Sequence, residues 1–291
     1  MDIGVALPQM ARGLNRQTVT AWCRGIDEGP YSSVSAGERI TFHNLEGITL
    51  CTAAAMLTER VRVFLNVAVA PWHAPAMLAK QLATIDVLSD GRVELAVGVG
   101  GRQQDYEALG ATFDRRHSRL DTAVHELRRL WAGGVATDGN PIGPPPVQPG
   151  GPPILCSGMG PKSLQRAAGW ADGVSGFALS GDADEADRQF RAAETAWLEA
   201  GRTDRPRLTT GVFVSLGPDA EQVLKNFALQ YLDVFGKDIA RMLADAMTVH
   251  SPEALRDTIA AMAATGCDEL VLVPADADPT LLARITEVVA G

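Results

Sequence analysis

The sequence predicts an α/β fold, a (β/α)8 TIM barrel, as one domain over residues 1–291. Segments of helical and strand period alternate eight times, and no interior stretch is long enough to separate two cores. A length of 291 residues also suits one barrel, which typically takes about 250. The unit is plainest at residues 80–105. Apolar residues at helical spacing fill 80–88, Ser89-Asp90-Gly91 stops them, and 92–97 continues in strand rhythm. That strand runs into Gly98-Val99-Gly100-Gly101, where missing side chains let a ligand approach the backbone, and then into the polar loop Arg102-Gln103-Gln104-Asp105. The strict dinucleotide fingerprint is not met, because Gln103 stands where a third glycine belongs.

The other elements follow in order. Residues 3–7 are a buried first strand ended by Pro8; Val19, Trp22, Cys23 and Ile26 mark a helix over 18–28, closed by Gly29-Pro30. Strand two falls at 31–36, with Gly37-Glu38-Arg39 at its carboxyl end and a loop at 41–46 that contains His43. A helix of small apolar residues covers 47–60, and the β-branched run 61–70 is strand three, followed by the loop Trp72-His73-Ala74-Pro75. A helix starts at Ala76, and another spans 115–131. Residues 133–153, rich in proline and glycine, form a surface excursion, since the same alternation continues on both sides. Strand five is 154–156, its helix 163–170, strand six 173–178, and the next helix 182–200. Strand seven is 207–216; a helical insertion over 219–264, broken near Gly236 and at His250-Ser251-Pro252, precedes strand eight at 269–273 and a last helix at 279–289.

Composition narrows the function. With 46% apolar and 21% charged residues, the chain can bury a sizeable core. A net charge of −9 and a pI near 5.1 argue against nucleic acid or an anionic membrane as partner. Met1-Asp2-Ile3-Gly4 enters a strand directly and no run of about 18 apolar residues occurs, so a cytoplasmic location is expected. Cys23, Cys51, Cys156 and Cys267 form no C-x-x-C pair and read as reduced core residues. The five histidines show no metal-binding spacing, and no G-x-S-x-G elbow is present.

In a barrel, chemistry sits on the loops after the strands. Ser157-Gly158-Met159-Gly160-Pro161 opens a helix after strand five; free N–H groups and the helix dipole there suit a phosphate, although an ordinary strand-to-helix turn needs glycines too. Glu38 and Arg39 project toward the barrel mouth and are catalytic candidates or a structural ion pair. His43 and His73 lie on loops of the same face and are candidates for moving a proton. Trp72 is a wall for a flat ring or ordinary packing.

The run from Leu78 through Asp86-Val87-Leu88-Ser89-Asp90-Gly91-Arg92 to Gly100, together with 153–161 and Ala171-Asp172-Gly173, resembles the bacterial luciferase-like oxidoreductases over nearly the whole chain. Gly37-Glu38-Arg39-Ile40 further resembles an actinobacterial subgroup assigned to the deazaflavin F420. The resemblance implies a barrel that binds reduced F420 or FMN at its carboxyl face. It implies the phosphate at Ser157, Gly158, Gly160 and Pro161, with Met159 beside them, a ring wall at Asn66, Val67 and Ala68 around a non-prolyl cis peptide near Val67-Ala68, give or take a residue, and further contacts at Gly100 and Arg102. Several relatives carry histidine where this chain has Glu38, and the sugar-phosphate dehydrogenases carry a glutamate where it has Gly101, so a glucose-6-phosphate dehydrogenase is disfavoured. The acid or base is then Glu38, Arg39, His43 or His73.

The expected function is F420-dependent hydride transfer to or from a small organic substrate. The alternatives are an FMNH2-dependent monooxygenase served by a separate flavin reductase, a barrel that binds flavin without turnover, and a phosphate-substrate enzyme without a redox cofactor. A homodimer is expected from the resemblance, with an apolar face of the second or third helix as its contact.

Overall fold

The computed structural model describes residues 1–136 and 139–291. Its strands are β1 (Asp2–Ala6), β2 (Ser33–Ala36), β3 (Arg62–Ala68), β4 (Val93–Val97), β5 (Ile154–Cys156), β6 (Gly173–Ser175), β7 (Arg207–Val214) and β8 (Glu269–Pro274). They close into a barrel in sequence order, every pairing parallel, with β8 returning to β1. The (β/α)8 expectation is therefore met. Around the barrel lie α1 (Arg16–Glu28), α2 (Gly47–Leu57), α3 (Pro75–Leu88), α4 (Gln103–Ala108), α5 (Arg116–Trp131), α6 (Pro161–Ala167), α7 (Ala183–Glu199), α8 (Ala220–Tyr231), α9 (Lys237–Asp245), α10 (Pro252–Ala264) and α11 (Pro279–Ala290).

Local chemistry explains the boundaries. Asn15, Ser251 and Asp278 cap α1, α10 and α11 with side-chain oxygens on the first free amides, and Pro252 and Pro279 sit in the first turn. Strand three is shorter than its β-branched run, because Ala70–Trp72 turns into a 3-10 helix at Pro71. The polar stretch read as a loop after strand four contains α4, whose Asp105 and Tyr106 are buried. The helical insertion before β8 divides into α8, a 3-10 turn at Asp233–Phe235, α9 and α10.

The excursion at 133–153 includes residues 137 and 138, which lie outside the described residues. Its far side is pinned by Asp86, a fully buried acid on α3 that accepts from the amides of Val147 and Gln148 and from Gln148 Nε2. All four cysteines are free and buried. Among the described residues no helix is long and apolar enough to cross a membrane.

Helices pack on the outer strand faces, while the interior is filled in layers. At its amino end two acids, Glu94 and Glu269, stand inside the ring at 2% and 0% exposure. Glu269 accepts from Ser32 and Ser33 hydroxyls (2.6 Å each), Arg62 Nη2 (2.7 Å) and Arg207 Nη2 (2.6 Å). Glu94 faces the same arginines at 3.3–3.6 Å. Burial pushes both carboxyls up; around Glu269 the arginines and hydroxyls outweigh it and hold the pKa below the usual value, whereas Glu94, at longer range, stays raised. Above them Ala6, Phe64, Ala96, Leu155 and Val271 make an apolar layer.

Truncating Glu269 leaves two guanidinium groups without their best partner inside the barrel. Glu269→Ala is expected to lower the unfolding free energy by about 3–5 kcal/mol in urea denaturation. A loss under about 1 kcal/mol would show that this layer is dispensable.

Candidate active site

At the carboxyl end the barrel opens into a cavity of about 460 Å3. Asn66, Val67, Ser157 and Met159 form one side of it, and Phe177, Phe213 and Tyr231 another. β3 and β7 stand opposite each other in the ring, so these are facing walls. The Asn66–Val67 peptide is cis, and the register against β4 shifts between Asn66 and Ala68. The shift is a bulge, and it lets consecutive residues Asn66 and Val67 both reach the cavity. Ser175 Oγ donates to Asn66 Oδ1 at 3.1 Å. Gly37 supports the bulge from β2: a Cβ there would lie 2.5 Å from Asn66 O and 2.8 Å from Val67 N.

Glu38 lies beside this wall with its side chain 2% exposed. Its Oε2 accepts from Val69 N (2.7 Å), and its Oε1 is 2.8 Å from His73 Nε2. The indole N–H of Trp72 points at that same nitrogen from 2.9 Å. The Nε2 atom has one in-plane site for a proton or a lone pair. That one site serves either the indole N–H as an acceptor or Glu38 as a donor, so the three side chains form one connected group beside the cavity wall.

Arg39 lies behind the opposite wall. Its guanidinium is 3.7 Å from the Phe42 ring centre and 5.0 Å from that of Tyr231, and Nη1 donates to Tyr231 O at 3.1 Å. Burial, followed by the neighbouring charge of Arg102, lowers its pKa below the usual guanidinium value. Asp105, 2% exposed, accepts from both the amide and the hydroxyl of Thr41 and lies 3.3 Å from Arg102 Nε. This joins the loops after β2 and β4.

Of the residues singled out in the sequence, Glu38, Asn66, Val67, Ser157 and Met159 line the cavity. Arg39 and His73 stand next to it as described. His43 is exposed, stacked 4.1 Å from Phe42 with Nε2 3.1 Å from Met10 O. Ala68 is fully buried in the core beneath the helices, so it is no part of the ring wall. Gly100, at φ +61°, backs onto Val69. In the turn at 157–161 some of the amides are taken up locally. Gly158 N is bonded to Cys156 Sγ, Ser163 N and Leu164 N both return to Gly160 O, and Gly160 has an ordinary φ of −73° before Pro161. Sequence reasoning missed Gln9, Phe177, Gln189, Phe213 and Tyr231. Gln9 and Gln189 both keep a buried carbonyl oxygen without a donor at the cavity wall. Strand period from Arg207 points Phe213 inward; Gln9 and Tyr231 carry no local signal.

A family model described as luciferase-like monooxygenase matches residues 3–270. The chain belongs to the luciferase-like monooxygenase family. It is an oxidoreductase of that family by this match. An uncharacterised protein of Mycobacterium tuberculosis is 34% identical over 170 residues, 55% of this chain and 56% of that one, so the match spans about half of the curated relative. In fold the chain is similar to the monooxygenase RslO1 from Streptomyces bottropensis, with TM-score 0.78 at 21% identity over 100% of this chain and 98% of that one. It is also similar to an F420-dependent secondary alcohol dehydrogenase, with TM-score 0.76 at 18% identity over 99% and 97%. In fold the barrel is thus similar to both a monooxygenase and an F420-dependent dehydrogenase.

The contact of Gly37 with the β3 backbone is the tightest support of the Val67 wall. Gly37→Ala is expected to cost about 1–3 kcal/mol by overpacking, read as a lowered denaturation midpoint. A variant as stable as the parent would mean that the β3 bulge moves freely.

Proposed function

We propose that the chain is a monooxygenase that binds reduced FMN in the mouth cavity and oxygenates a small organic substrate, with reduced flavin delivered by a separate reductase. The observation that carries this reading is the cavity lining: among its described residues none is Lys, Arg or His, and the one carboxylate, Glu38, has both oxygens engaged. Such a cavity, largely apolar and without a free charge, suits dioxygen and a neutral substrate. It offers no free acid at the oxygen of a carbonyl undergoing hydride transfer. The family description and the likeness to RslO1 point the same way.

The residues fit a flat ring. Val67, Ser157 and Met159 would hold it from the β3–β5 side, and the orphaned carbonyls of Gln9 and Gln189 suit its N–H groups. Arg102, whose side chain is 18% exposed, would meet the phosphate at the rim. Bound reduced FMN supplies the electrons that reduce dioxygen, one oxygen of which enters the substrate. The Glu38–His73 pair would move a proton beside that site.

The same pair favours a second reading, F420-dependent hydride transfer as in the actinobacterial subgroup, with Glu38 or His73 turned inward as the acid. Anaerobic titration of the purified protein with both reduced cofactors separates the two. Reduced FMN is expected to bind at least about tenfold more tightly, a difference of about 1.4 kcal/mol. The opposite order would establish the deazaflavin reading, and binding of neither would sink both.

Glu38→Gln is expected to lower turnover by about 10²-fold while FMN affinity stays within about twofold. Loss of FMN affinity instead would give Glu38 a purely structural duty at the end of β3.

A further inference from the structure

The wall opposite Val67 is aromatic. Phe177 and Phe213 lie 4.6 Å apart between ring centres at 53°, and Phe213 and Tyr231 lie 5.6 Å apart at 72°. Behind them Phe227 stacks on Tyr231 at 5.8 Å and 8° and meets Phe213 edge-on at 5.2 Å. Arg39 fixes Tyr231 from outside through its carbonyl. Gly211 gives Phe177 its place, since a Cβ at 211 would lie 2.8 Å from the ring. These contacts bring together β7, the loop after β6 and the end of α8, and they hold the rings as one surface.

The rest of the lining excludes other ligand classes. A carboxylate, phosphate or ammonium entering the cavity would meet no free counter-charge, because Glu38 is the one Asp, Glu, Lys, Arg or His among the described lining residues and both its oxygens are engaged. We propose that the substrate is a neutral, flat aromatic molecule seated on the Phe177–Phe213–Tyr231 wall. This names the substrate class of the reaction proposed above and rests on that reading for the chemistry, but not for the fit of the ligand.

The test uses the full chain without cofactor, titrated by calorimetry with 2-naphthol, 2-naphthoate and 2-naphthyl phosphate. Naphthol is expected to bind at least about tenfold more tightly than either anion. Phe213→Ala and Tyr231→Ala are each expected to weaken naphthol by about tenfold while reduced-FMN affinity stays within about twofold. Should either variant fail to fold, Tyr231→Leu keeps the bulk and removes the ring, with the same expected loss of naphthol affinity. Equal or tighter binding of an anion, unchanged naphthol affinity in the wall variants, or loss of FMN rather than naphthol would overturn the proposal. If FMN fails to bind while the naphthol pattern holds, the monooxygenase reading falls and the aromatic wall stands.

Discussion

Two buried carboxylates set the register of this barrel. Glu94 and Glu269 face Arg62 and Arg207 inside its amino end, joining β3, β4, β7 and β8, and Ser33 brings in β2. Charges at this depth are tolerable only in mutual contact. Each strand then has one residue whose direction is fixed, and the two-residue period of a strand does the rest. From Arg62 it points Phe64 and Asn66 inward; from Arg207 it points Thr209, Gly211 and Phe213 inward; from Glu269, Val271 and Val273. A slip by one residue would turn the charges into the apolar layer under the helices and carry Phe213 away from the cavity. The cavity wall is thus determined four to six residues upstream, by electrostatics at the other end of the molecule.

At the mouth, polar side chains are spent on loop geometry. Glu38 holds the Val69 amide, Asp105 holds Thr41, and Arg39 holds Tyr231 O. Each ties one part of the mouth to another that is distant in sequence, and each charge is engaged by its partner. A cavity without a free charge in an acidic protein is the result of these clasps.

The fold was legible because the alternation of periods is a property of whole segments, and eight repeats outvote an error at any one boundary. The site was legible only in part. Glu38, Asn66 and Val67 lie on the cavity, while their neighbours show how local structure intervenes. Ala68 was placed on the wall by the resemblance, at the expected cis peptide, yet the bulge returns it to the helix-facing core. Ser157–Pro161 read as a phosphate nest because glycines suggest open amides; within it the Gly158 amide is taken by Cys156 Sγ and the Ser157 amide by Val97 O. Tyr231 reaches the cavity from the end of a helix in the insertion before β8, and nothing in the local sequence encodes that approach. Phe213 was within reach of strand periodicity.

The placement of charge also bears on selectivity. The chain carries a net charge of −9, and the cation nearest the aromatic wall, Arg39, sits behind Phe42 and Tyr231. The field outside the protein therefore repels anions at a distance, to an extent that salt reduces. Inside, an anion loses its hydration and gains no partner, a penalty that salt does not screen. A neutral ring is indifferent to the first effect and escapes the second, so both act in the same direction on the ligands that compete for the cavity. Moving Arg39 inward would reverse the second and leave the first, which is why its clasp on Tyr231 matters to what the barrel accepts as well as to how its mouth is held together.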